Sequence, residues 1–284
     1  GLQIIKYMHD LSDPEVCARW VENVYYQQFC GEIYFQHQTP FDRSSMTRWR
    51  QRQGEEKLIE LMKESLATAH RTGALRLEDV KRVTTDTTAQ PKNVAFPTDA
   101  KLLYTAIVRL CRLCRKYGVK LRQSYIRVGK RALIMAQRCA HAKQFRRHRR
   151  EVKVLRTRLG RVIRDIRRKI AGKEFLAGAF ADELSMAIAL RHQKQRQRGK
   201  KIFSLHAPET ECIGKGKARQ PYEFGCKVSV TTTSGRAPGG MFVLHTKAFH
   251  GNPYDGHTLK EVIEELTDWI GTEPERTYVD KGYR

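Results

Sequence analysis

Two short β-branched runs, separated by most of the chain, each deliver a single aspartate. The first is Arg82-Val83-Thr84-Thr85-Asp86-Thr87-Thr88, and the second Arg276-Thr277-Tyr278-Val279-Asp280-Lys281-Gly282-Tyr283-Arg284. Alternation puts Arg82, Thr84 and Asp86 on one strand face and Val83 and Thr85 on the other. Each strand is expected to stop at its aspartate, the second one broken by Gly282. Two strands that present carboxylates at one end of a sheet can share a hard divalent cation. Mg²⁺ takes oxygen ligands and usually one or two carboxylates, and paired ions about 3.5–4 Å apart cut and join phosphodiesters. The simpler reading is that both aspartates cap strand ends or begin turns, where Asp is common.

What lies between the runs is basic. The 284 residues carry a formal charge of +24, and its location matters more than its size. From Lys101 to Lys201 there are 31 Lys and Arg against 5 Asp and Glu, while the rest of the chain holds 23 against 25. All the excess sits in one block, the footprint of a polyanionic partner and most simply of nucleic acid. Within it Leu102, Leu103, Ala106, Ile107, Leu110 and Leu113 form one helical stripe. Val152, Leu155, Leu159, Val162, Ile166 and Ile170 form another. Opposite the second stripe stand Arg149, Arg156, Arg161, Arg164 and Arg168. The block is expected to be a long helical hairpin with an apolar seam and a basic outer face. A merely solvated face would mix charge signs; this one hardly does, so it is read as tracking phosphates.

Residues 1–73 read as helices. Ser12-Asp13-Pro14-Glu15 is a capping box with proline in the first turn. Tyr25, Tyr26, Phe29, Tyr34 and Phe35 are expected to supply aromatic core. Asp42-Arg43-Ser44-Ser45 offers a further helix start leading into Arg48, Trp49, Arg50 and Arg52. That pattern suits a helix-turn-helix-like DNA reader, and equally a plain helical bundle with a solvated Arg face.

The seven cysteines are scattered and odd in number, without a secretory signal, which points to reduced thiols in the cytoplasm. Cys111-x-x-Cys114 lacks a second such pair and falls inside a helical pattern, so it is read as helix interior rather than as a zinc half-site. No apolar run reaches the roughly 18 residues of a membrane span. The first residue is Gly, so the N-terminus is expected to be processed or truncated.

Beyond Lys201 the texture turns to β. Lys201–Ala207 is expected as a short strand, Gly214-Lys215-Gly216-Lys217 as a basic glycine loop, and Tyr222–Thr232 and Met241–Phe249 as strands. Thr258-Leu259-Lys260-Glu261 reads as the capping box of a helix closed by Gly271. The chain thus divides into an N-terminal helical DNA-binding domain (1–73), a first core strand and loop (74–97), a basic helical insertion (98–200) and the remaining core (201–284).

This order resembles the ribonuclease H-like core of DDE transposases, and more narrowly the bacterial insertion-sequence transposases of the insertion-sequence-five family. Six blocks carry the resemblance: 20–31, 44–50, Thr85-Asp86-Thr87-Thr88-Ala89-Gln90, 215–225, 251–259 and 278–284. The resemblance implies an α/β fold with a basic all-helical insertion. It implies that Asp86 and Asp280 are the first two carboxylates holding Mg²⁺ or Mn²⁺, and that the substrate is double-stranded DNA at transposon terminal repeats and targets. Lys215, Lys217 and Arg219 join Arg48, Arg50, Arg52 and the five insertion arginines as expected DNA contacts. A homo-oligomer when acting, a cytoplasmic location with nucleoid association on DNA, and no membrane contact complete the expectation.

The family's third carboxylate is a Glu on a later helix in a Tyr/Arg/Glu/Lys-type motif. This chain ends at Arg284, so the core is expected to be incomplete, able to bind DNA but not to cut it. The alternative is a non-catalytic DNA-binding remnant. A basic RNA-binding protein fits less well, having no need of two strand-borne aspartates.

Overall fold

The computed structural model describes residues 1–195, 197, 199–214 and 221–283. Lys215, Lys217 and Arg219, expected at a DNA surface, lie outside the described residues. The chain forms two compact units, Gly1–Arg76 and Leu77–Arg284.

The first unit is helical: α1 (Leu2–Met8), α2 (Asp13–Glu22), α3 (Val24–Phe29) and α4 (Ser45–Arg71). The capping box forms as predicted, Ser12 and Glu15 bonding each other's backbone. Leu2, Ile5, Val16, Cys17, Trp20 and Met46 are buried together. Gly54 is not helical (φ 65°, ψ 179°) and kinks α4. The expected aromatic core is corrected: Tyr25, Phe29, Tyr34 and Phe35 are exposed, and only Tyr26 packs against the buried set. Here Gln27 takes the interior place, its amide donating to the carbonyls of Trp20 and Gln36 while its oxygen accepts from Gln36 N–H. The loop after α3 is held by that amide, and its aromatic side chains are left outside.

The second unit opens with α5 (Leu77–Val80) and β1 (Arg82–Pro91). Four helices follow: α6 (Asp99–Lys116), α7 (Ile126–His141), α8 (Phe145–Ile170) and α9 (Glu174–His192). They form a bundle, which corrects the predicted hairpin. The two stripes meet in its core, joined by Ala132 and Ala136 from α7 and by Phe180, Leu184, Ala187 and Leu190 from α9. Cys111 and Cys114 continue the α6 stripe, and burial pushes both thiols up to about 11, the state of inert interior groups. Leu113 is only half-buried.

The chain then returns through β2 (Glu211–Gly214), β3 (Tyr222–Thr233), β4 (Val243–Phe249), α10 (Asp255–Ile270), β5 (Arg276–Tyr278) and a 3₁₀ turn, Lys281–Tyr283. The expected strand at Lys201–Ala207 is irregular instead. Its Ile202 is held by Gln193 in both directions, through its N–H and its carbonyl, so the segment's backbone bonds to a side chain rather than a ladder. The described strands form one five-stranded sheet. β1 runs antiparallel to β3 and parallel to β5; β3 in turn carries β2 and β4, both antiparallel. No helix among the described residues is long and apolar enough to cross a membrane.

Candidate functional site

The sheet brings the two aspartate runs together. In the parallel register Arg82 pairs with Arg276, Val83 with Thr277 and Thr84 with Tyr278. Asp86 and Asp280 stand two residues further along each chain, just beyond the last pair. Asp280 follows the end of β5, as expected. Asp86 does not end its strand: β1 continues to Pro91, because Thr87, Thr88 and Ala89 still pair with Ser229, Val228 and Lys227 of β3. The strand's two faces are as read from the alternation, with Arg82, Thr84 and Asp86 exposed and Val83 and Thr85 buried.

A third carboxylate, Asp255, comes from α10. The capping box read at Thr258 puts the helix start one turn too late and leaves this residue out. Helix α10 begins at Asp255, and the Thr258 hydroxyl donates back to the Asp255 carbonyl instead of capping. An acidic residue after the loop Gly251-Asn252-Pro253-Tyr254 was the available signal, since Asp is favoured in a first helical turn. Two strands hold its Oδ1. The Thr87 hydroxyl of β1 donates at 2.7 Å and Lys227 Nζ of β3 at 2.8 Å. Lys227 also donates to the Pro253 carbonyl at 2.7 Å, tying the loop before α10 to the sheet.

The 3₁₀ turn closes around these groups. Gly282 N–H donates to Asp280 Oδ1 at 2.7 Å. A Cβ placed on Gly282 would lie 2.9 Å from Asp280 Oδ1 and 3.6 Å from Asp255 Oδ2, so one point borders both carboxylates. Gly256 makes the approach feasible from the other side: a Cβ there would fall 2.6 Å from the Tyr283 carbonyl oxygen. Tyr283 is half-buried beside these groups. Burial pushes its hydroxyl up to about 12; the Thr87 hydroxyl opposes this, and the charges of Asp255, Asp86 and Asp280 reinforce it.

The donor set is hard oxygen, which suits Mg²⁺ or Mn²⁺ in kind. Among the described residues, no group of three or more His, Cys, Asp or Glu side chains converges on one metal position. Asp255 is paired with Lys227, whereas among the described residues no cation is paired with Asp86 or Asp280. The helix α10 glutamates lie elsewhere: Glu261 and Glu265 hold Lys247, and Glu265 also meets the buried His245 at 3.2 Å.

The predicted DNA contacts separate into free and engaged side chains. Arg48 and Arg52 are exposed, but Arg50 grips Asp13 with both guanidinium nitrogens at 2.7 and 2.6 Å. In the bundle Arg149, Arg161, Arg164 and Arg168 are exposed. Arg156 is half-buried and donates to the Gln193 carbonyl at 3.0 Å, with Asp99 4.0 Å away. Arg161, Arg164 and Arg168 share a pocket of about 510 Å³ with Arg122 and Tyr125. Asp165 in its wall accepts from Arg122 N–H at 2.7 Å, and that bond holds its carboxyl below the ordinary value.

The family described as "Transposase domain (DUF772)" matches residues 1–52, within the first unit. A Rhizobium meliloti protein, "Uncharacterized protein ORF8 in nfe locus", is 52% identical over 145 residues, covering 51% of this chain and 70% of that protein. No solved structure matches the chain. At that identity and coverage, this chain belongs to the same family as the Rhizobium protein, one that the domain at residues 1–52 marks as transposase-related.

Proposed function

We propose that the protein is a DNA transposase of the DDE type, with a ribonuclease H-like core that receives phosphodiesters at its Asp86–Asp280 edge. One observation carries the reading: the parallel β1–β5 register, which aligns the two aspartate runs after an α10 crossover. Asp86 and Asp280 would hold Mg²⁺ or Mn²⁺, water filling the remaining octahedral positions. Such an ion, when bound, polarises a phosphoryl oxygen and lowers the pKa of attacking water. The chain's own residues do the positioning. Gly282 N–H fixes the Asp280 rotamer, Lys227 and Thr87 fix Asp255, and the basic bundle neutralises phosphates of duplex DNA. Transposon ends and target DNA are the substrates in this reading, and a homo-oligomer brings two ends together.

A second reading, a non-catalytic DNA-binding remnant, is favoured by the lack of a three-carboxylate group among the described residues. The two are separated by incubating the protein with labelled duplex carrying the DNA that flanks its gene, in Mg²⁺ or Mn²⁺. Nicking that disappears in Asp86→Asn and in Asp280→Asn upholds the transposase. Binding without nicking upholds the remnant. A protein that neither binds nor nicks overturns both.

A further inference from the structure

A groove of about 1300 Å³ runs between the helical bundle and the segments that enter and leave it. Arg149, Lys153 and Arg156 of α8 line it, with Lys194 and Lys201 from the segment after α9. Its one acid among the described residues, Asp99, faces Arg156 at 4.0 Å and is largely offset. Charge alone would suit any polyanion, but the groove also presents two rings. Phe96 is 65% exposed and Phe145 57% exposed, and both belong to its lining.

One of these rings is braced by others. Phe96 stands edge-on to Phe224 at 5.5 Å between centroids, and Phe224 is backed by Phe203 at 5.6 Å. Phe145 is the first residue of α8, and its carbonyl accepts from Arg149 Nε at 3.3 Å, so ring and cation belong to the same helical turn. Exposed aromatic faces along a cationic channel are how proteins hold unpaired strands: bases stack on rings while phosphates follow the charge. A duplex cannot use the rings, because its base faces are already covered by their neighbours. We infer that this groove binds single-stranded DNA, with bases on Phe96 and Phe145 and phosphates on Arg149, Lys153, Lys194 and Lys201. The inference rests on the DNA-acting reading above and adds to it a place for a strand separated from its partner.

The test uses the whole protein and a fluorescein-labelled oligo(dT) of about ten nucleotides, alongside a duplex of equal length, by anisotropy. A companion oligonucleotide with one 2-aminopurine reports stacking by quenching. The Phe96→Leu/Phe145→Leu variant should lose about tenfold or more in single-strand affinity and lose the quenching. Its duplex affinity and salt dependence should stay as they are. The Arg149→Gln/Lys153→Gln variant should instead flatten the salt dependence for the single strand. Unchanged single-strand affinity in the phenylalanine variant, or an equal loss on duplex, overturns the inference. Metal-dependent nicking with no single-strand binding would sink this groove alone. Ring-dependent binding without nicking would sink the catalytic reading and leave the groove standing.

Discussion

Lys227 Nζ sits 2.8 Å from Asp255 Oδ1, and with the Thr87 hydroxyl it fastens the start of α10 onto the sheet. Both side chains are largely removed from solvent, at 12% and 25% exposure. Breaking such a pair strands a charge, which costs more than the pair contributes. Lys227→Met is expected to destabilise the protein by about 2–3 kcal/mol. Adding Asp255→Asn, which keeps an acceptor for Thr87 but removes the charge, should recover more than half of that. Denaturant unfolding of the single and double variants measures the recovery; equal losses would show that the pair carries no coupling.

Asp86 and Asp280 predict the opposite stability pattern. Asp86 is exposed, and among the described residues no cation pairs with it in the way Lys227 pairs with Asp255. Replacing either by Asn removes repulsion in the metal-free protein, so the melting temperature should hold or rise slightly. Mn²⁺ affinity, followed by electron paramagnetic resonance, should fall at least about tenfold in each variant. Unaltered Mn²⁺ binding would remove both residues from the metal site.

Gly256 offers a way to disturb the site without touching a carboxylate. A Cβ there would meet the Tyr283 carbonyl oxygen at 2.6 Å and the Tyr254 ring at 2.9 Å, so the 3₁₀ turn must shift. Gly256→Ala should therefore weaken Mn²⁺ binding through Asp280 while costing about 1–3 kcal/mol from overpacking. The same affinity as the parent protein would show that Asp280 is positioned independently of the turn.

How much of this was legible follows from where the information resides. The alternating faces of β1 could be read directly, because Val83 and Thr85 differ in kind from Arg82 and Asp86. The continuation of β1 past Asp86 could not: Thr87 to Ala89 are strand only because β3, far along the chain, pairs with them. The hairpin expectation failed on α9, whose Ala- and Leu-rich sequence shows no single apolar face, although Phe180, Leu184, Ala187 and Leu190 fill the bundle. Asp255 is legible as a first-turn helix acid after its loop, but its place at the site appears only when Lys227 and Thr87 are brought beside it. Arg50 and Arg156 likewise looked like outer-face cations until Asp13 and Gln193 were placed.

The Arg50–Asp13 fork makes the first unit pH-dependent. Arg50, supported by Lys6 at 2.5 Å, holds the Asp13 carboxyl well below its usual value, down to about 2, against the opposing effect of burial. Its unfolded value is about 3.9. Because the folded value is depressed, the stabilisation is fully present above about 3.9 and is lost as pH falls toward 2. Asp13→Asn should cost about 2 kcal/mol at neutral pH, and the difference from the parent should shrink steadily in acid. Amide exchange in α2 reads this directly, and a gap that persists at pH 2 would assign the loss to packing rather than charge.

The arginines of α8 differ in their ties, and that difference can be measured. Arg161, Arg164 and Arg168 are exposed in one pocket with Arg122, Arg168 lying 3.8 Å from Asp165 and Arg161 over the Tyr125 ring, and their outer faces are open to phosphates. Arg156 is spent on the Gln193 carbonyl, and its Nε is buried with no partner among the described residues. Neutralising a phosphate contact lowers the slope of log affinity against log salt by roughly one unit. Arg161→Gln, Arg164→Gln and Arg168→Gln together should thus reduce that slope by about three on duplex of any sequence. Arg156→Gln should leave the slope nearly unchanged and lower the thermal stability instead, because the segment after α9 loses its anchor. If the triple variant keeps the parent's slope, the exposed arginines only solvate the helix, and the basic block needs a partner other than DNA.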